Sequence, residues 1–191
     1  MKPDRLNAFT DGVLAVVITL MVLELKAPDS ADIAAVRPWL PLFGVYALSF
    51  VNIGIFWNNH HHMMQAAKRI DGRVLWANLG LLFWLSLVPL VIRWIDQTGL
   101  VPLPVAAYGL VLLMAGAAYS LLEMALTAAE GPDSAIAEAV GARFKEWISI
   151  VCYLGGMALA WVSPLISIAL YVFVAATWLV PDRRFEKRLQ P

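Results

Sequence analysis

Charge and cysteine are both scarce in this chain. Charged side chains make up 15% of its 191 residues, apolar ones 61%, and the mean hydropathy is +0.72. Soluble domains carry about 25% charged and about 45–50% apolar residues, so that class is excluded. A disordered chain, which needs low hydrophobicity, is excluded with it. Net charge is missing too: 14 basic residues balance 14 acidic ones, leaving no bulk field to draw in nucleic acid. The lone cysteine, Cys152, cannot make an intramolecular disulfide or a thiolate metal framework. Strict period-2 alternation is lacking as well, which argues against an outer-membrane barrel. No His/Glu metal motif, nucleophile elbow, phosphate loop or paired intramembrane carboxylates occur. Hence no catalytic residue is assigned, and neither an enzyme nor a cofactor is expected. An all-α integral membrane protein remains.

Crossing a hydrocarbon core of about 30 Å takes roughly 20 mainly apolar residues. Six segments approach this: 8–25, 39–57, 74–92, 104–122, 147–162 and 164–179. The last two run together, and Ser163-Pro164 divides them, because proline lacks an N–H and pushes its predecessor out of helical geometry. Residues 1–191 are therefore read as one six-helix transmembrane domain. Residues 27–38 form a short external loop. Within 128–146, Ile136, Val140 and Phe144 make an apolar stripe on a short interfacial helix or an extension of the fifth span.

Basic residues orient the bundle. Lys2, Arg5, Lys68, Arg69, Arg73, Arg143, Lys145, Arg183, Arg184, Lys187 and Arg188 fall on one side, and Lys26, Arg37 and Arg93 on the other. This bias places both termini in the cytoplasm. Seven of the eight tryptophans lie near segment ends, as an interfacial belt requires; Trp84 does not and reads as a packing residue. Asp4 and Asp11 offset Lys2 and Arg5, so the first span is not expected to be a cleaved signal peptide.

The first span is the unusual one. Only the 12 residues Gly12–Leu23 separate Asp11 from Glu24, about 18 Å of helix. Acids near both edges of so short a span are awkward against lipid, so the helix belongs inside an assembly or is locally wet. Val16, Leu20 and Leu23 share a face, Thr19 is the hydroxyl beside them, and Gly12 and Ala15 permit close approach. From spacing alone, that stripe reads first as ordinary packing, since Val and Leu at helical spacing are most often core.

Arg5-Leu6-Asn7-Ala8-Phe9-Thr10-Asp11-Gly12-Val13, followed by Thr19-Leu20-Met21-Val22-Leu23-Glu24-Leu25, closely resembles the opening of the bacterial relatives of the endosomal and lysosomal potassium channel. That family shows Arg-x-x-x-Phe-Ser-Asp-Gly and then Thr-Leu-Leu-Val-Leu-Glu. Phe56-Trp57-Asn58-Asn59-His60-His61 is similar to its Trp-x-x-His-His element. Thr10 stands in place of the usual serine, and His62 where a basic residue is common. The resemblance implies a homotetramer in the lipid bilayer of a bacterial inner (plasma) membrane that conducts potassium ions, weakly selective over sodium, without a carbonyl filter loop. It also implies aliphatic rings on the first helix, here Val16, Leu20 and Leu23, with Thr19 as a hydroxyl layer. Such rings can gate by dewetting. A polar network of Arg5, Phe9, Thr10, Asp11, Trp57, His60 and His61 would fix that helix against its neighbours; the alternative is independent snorkelling into headgroups.

His60, His61 and His62 diverge by about 100° per residue on a helix, so they do not converge on one metal ion. Pro89 reads as a kink or as the break of a discontinuous transporter helix. A proton-conducting channel, a secondary transporter and a structural membrane subunit stay open as alternatives.

Overall fold

A computed structural model describes residues 3–28, 30–131 and 144–179. Seven helices account for it: α1 (Pro3–Leu23), α2 (Ile33–Ala66), α3 (Gly72–Ser86), α4 (Val88–Thr98), α5 (Pro102–Glu130), α6 (Phe144–Leu159) and α7 (Pro164–Leu179). No strand occurs among the described residues. Four stretches, Pro3–Leu23, Ile33–Ala66, Gly72–Thr98 and Pro102–Glu130, are long and apolar enough to cross a membrane. Helices α6 and α7 have 16 residues each, about 24 Å, slightly short of the hydrocarbon core. Six antiparallel-connected spans result, with α3 and α4 sharing one.

Proline sets the interruption in that third span. Pro89 has no N–H for the Leu85 carbonyl, and Leu87 instead donates its own N–H to Trp84 O at 3.2 Å. The chain resumes at Val88 after a single residue, so the feature is a kink. Trp84 packs half-buried against the core. Between α6 and α7, Val162 and Ser163 both donate to Leu159 O, at 2.9 and 2.8 Å, and α7 begins on Pro164.

Several boundaries differ from the sequence reading. Helix α2 begins at Ile33, so the loop expected over 27–38 is shorter and Pro38 and Pro41 lie inside the helix. It also runs past Trp57 to Ala66, because the polar Asn-Asn-His-His-His segment bonds within the bundle. Asp71 caps α3 by accepting from the N–H groups of Arg73 and Val74 at 2.9 and 3.0 Å. Helix α5 extends to Glu130, whose carboxylate accepts from the backbone N–H groups of Lys68 and Arg69. Of the predicted stripe only Phe144 is described, exposed at the start of α6; Ile136 and Val140 lie outside the described residues, as do Lys2, Arg143 and the basic tail.

Helix α5 is the hub, packed by α3, α4, α6 and α7. Close approach there depends on Gly109, where an added Cβ would lie 2.1 Å from Tyr171 Oη. Helix α1 sits to one side, on α2, α3 and α4.

Candidate pore helix and its anchors

Leu6, Thr10, Leu14, Val17 and Met21 are buried. Their spacing of four, four, three and four residues is one face of a helix. The opposite face is left uncovered by the chain: Val16 is 57% exposed and Leu23 73%, with Thr19 exposed between them and Gly12 exposed one turn before Val16. Leu20, 46% exposed, lies on the flank of that stripe. Thr19 donates its hydroxyl proton to Ala15 O at 2.8 Å, so its oxygen turns only acceptor capacity outward.

Polar contacts hold both ends of α1. At the N-terminal end, Trp57 Nε1 donates to Asp11 Oδ1 at 2.9 Å, and His61 stacks on the Trp57 ring with centroids 5.8 Å apart. His61 in turn contacts Gln65 Nε2 at 2.8 Å. Deeper in the bundle, Asn78 Nδ2 donates to Thr10 Oγ1 at 2.9 Å, and Asn78 Oδ1 lies 2.9 Å from His60 Nε2. An amide oxygen only accepts, so His60 carries a proton on Nε2, and its buried Nδ1 has no hydrogen-bond partner among the described residues. One asparagine thereby ties α1 to both α2 and α3.

At the other end, Glu24 pairs with Arg93 at 3.7 Å and Lys26 with Asp96 at 3.6 Å. The Lys26 carbonyl accepts from Trp39 Nε1 at 2.8 Å. Both acids that bound the short apolar span are thus partnered within the chain, which relieves the cost of placing them near a bilayer.

Of the sequence-selected residues, Asp11, Trp57 and His61 come together in one cluster, and Thr10 and His60 in another. Arg5 and Phe9 do not join them; both are exposed, on the side of Val16, and Arg5 makes no hydrogen bond or ion pair among the described residues. Asn78 was not anticipated. Its signal was present, since it is the one amide within the 74–92 apolar run, and an isolated polar group in a span needs a partner. His60 points into the bundle while His61 stacks on Trp57, and no metal-ligating cluster occurs among the described residues.

Comparison with known proteins follows the same lines. The family described as endosomal/lysosomal potassium channel TMEM175 matches residues 5–89. A potassium channel of Chryseobacterium sp. (strain P1-3) is 48% identical over 190 residues, covering 100% of this chain and 99% of that protein. The endosomal/lysosomal proton channel TMEM175 of Mus musculus is 31% identical over 99 residues, 46% of this chain but only 19% of the mouse protein. The crystal structure of a lysosomal potassium-selective channel TMEM175 homolog from Chamaesiphon minutus superposes with a TM-score of 0.77. It covers 94% of this chain and 97% of that one at 24% identity, a likeness of fold.

Proposed function

This chain belongs to the TMEM175 family of endosomal/lysosomal potassium channels, and from that premise we propose that it conducts potassium across the bacterial plasma membrane as a homotetramer. Residues 1–191 act as one channel domain, and four copies of α1 line the path.

The observation that carries this reading is the division of α1 into a packed and an uncovered face. Val17 and Leu14 are buried against the chain's own helices, while Val16, Thr19 and Leu23 point away from them. The uncharged stretch between Asp11 and Glu24 covers only about 18 Å, short of the hydrocarbon core, which supports a place for α1 inside an assembly. Placed around a four-fold axis, that face forms aliphatic rings at Val16, Leu20 and Leu23. Narrow rings of this kind exclude water when closed, because their side chains offer it no hydrogen bond. When open, they pass more readily the ion that sheds hydration at lower cost, which favours potassium over sodium. Thr19 adds outward acceptor oxygens at the same level.

Proton conduction is the second reading, favoured by the similarity to a mouse proton channel. Reversal potentials of the reconstituted protein under opposed potassium and pH gradients separate the two. A reversal potential that follows the potassium gradient supports the proposal; one that follows pH overturns it. Native mass spectrometry of flux-active protein should show four subunits, and monomers or dimers alone would exclude the tetrameric pore.

A further inference from the structure

A cavity of about 320 Å³ opens among α2, α5, α6 and α7. That volume lies at the lower end of the range that takes small-molecule ligands. Leu112, Ile150 and Val174 give it an apolar inner wall. Gly116 lines it too, and a Cβ added there would meet nothing within 4 Å. Glycine weakens a helix interior, so α5 forgoes local stability where a larger side chain would fit.

Three tyrosines meet beside this wall. The rings of Tyr108 and Tyr171 lie 5.9 Å apart, and those of Tyr153 and Tyr171 5.6 Å. Two of the three hydroxyls are partnered: Tyr108 Oη lies 2.9 Å from Ser49 Oγ, and Tyr171 donates to Val105 O at 3.4 Å. Tyr153, 6% exposed, makes no hydrogen bond among the described residues, and it is the member of the trio that lines the cavity. Nor is its oxygen sealed in. The occluded side-chain atoms without a partner among the described residues are Asn7 Oδ1, His60 Nδ1 and His62 Nδ1, so the Tyr153 hydroxyl keeps an opening, and the cavity provides it. Its polar neighbours on the lining are engaged elsewhere: Asn52 donates to Leu48 O, and Ser149 donates to Lys145 O while accepting from Trp178 Nε1. A buried water needs about two to four polar partners, and the apolar wall supplies none.

An apolar slot with one open phenol donor selects a neutral molecule that carries an acceptor oxygen. Depth narrows the class. Tyr153 lies about 9 Å along α6 from Trp147 and about 9 Å from the helix end at Leu159, so it stands near mid-membrane. The ester carbonyls of a phospholipid sit at the headgroup boundary and do not reach it. Glu123 and Glu146, also on the lining, have interactions within the chain and do not ask for a charged head. We propose that the cavity binds a small neutral carbonyl compound dissolved in the bilayer, of the ketone or quinone class. Its carbonyl accepts from Tyr153 Oη, and its apolar part lies along Leu112 and Ile150. The site is separate from the uncovered face of α1, and its occupancy does not depend on which ion the channel conducts.

Binding is measured on the full-length protein in detergent, by adducts in native mass spectrometry and by the infrared band of a carbonyl-labelled ketone. Corrected for partition into empty micelles, 2-undecanone should bind about fivefold more tightly than undecane, the gain from one neutral hydrogen bond. Its carbonyl band should fall below the frequency it has in empty micelles. Tyr153→Phe keeps the ring and removes the donor, so the preference and the band shift should both vanish while undecane binding is unchanged. Without ligand, Tyr153→Phe should unfold at the same or a higher temperature, whereas Tyr108→Phe, which loses a bonded hydroxyl, should unfold at a lower one. Gly116→Leu should abolish binding of both probes; if it does not assemble, Ala117→Phe fills the same cavity from the adjacent position. Phospholipid labelled at its ester carbonyls should show no shifted band. Equal affinity for the two probes, a band shift that survives Tyr153→Phe, ketone binding that survives the filled variants, or a shifted ester band would overturn the proposal.

Discussion

Trp57 and Asp11 meet side chain to side chain, indole Nε1 to carboxylate Oδ1 at 2.9 Å, across 46 residues of sequence. This contact ties the N-terminal end of α1 to α2, and the stacked His61 ring holds the indole in place.

Removing the donor while keeping an aromatic ring isolates that bond. Trp57→Phe should destabilise the protein by about 1.5 kcal/mol, the low end for a hydrogen bond to a charged group, because the indole is half exposed. Asp11→Asn keeps an acceptor oxygen and should cost less. A double-mutant cycle on unfolding midpoints measures the coupling; additive losses would mean that the two side chains act independently.

Asn78 should matter more than either. Asn78→Leu removes two buried hydrogen bonds and leaves the Thr10 hydroxyl and His60 Nε2–H unpaired, at about 1–3 kcal/mol each. Adding Thr10→Val removes one of those orphans and should recover part of the loss. A second substitution that deepens the loss instead would show that Thr10 has another role.

Val16 and Val17 are neighbours with opposite fates. Val16→Asn places an amide on the uncovered face, so basal cation flux should rise and potassium selectivity fall. Val17, 3% exposed, packs inside the chain, and Val17→Asn should lower the yield of assembled protein. Flux and size-exclusion profiles of the two variants are compared directly. Leaky channels from Val17→Asn alone would move the pore face by one residue; unchanged flux in both would remove α1 from the pore lining.

Orientation is read from outside the cell. Ser30 is exposed in the loop between α1 and α2, the side with few basic residues. With Cys152 replaced, Ser30→Cys should react with an impermeant maleimide in intact cells. Labelling that appears only after permeabilisation would invert the topology.

How much of this was legible beforehand follows from what each feature depends on. Six apolar segments, the break at Ser163-Pro164 and the kink at Pro89 are local: each is set by the length of an apolar run or by a missing N–H. They emerged close to where the sequence placed them. Helix ends moved by several residues where a partner distant in sequence intervened, as when Glu130 met the N–H groups of Lys68 and Arg69.

The sequence by itself determined the class of protein, the number of spans and the presence of an atypical first helix, since these follow from composition and from charges flanking apolar runs. Only the tertiary structure decided which side of that helix packs inward. Val16 and Val17 are chemically identical, and in a membrane the lipid is as apolar as the protein interior, so hydrophobic periodicity does not separate a buried face from an uncovered one. The same holds for the anchor at Asn78. Its partners Thr10 and His60 lie 68 and 18 residues away, and a pairing across that distance exists only once three helices have been brought together.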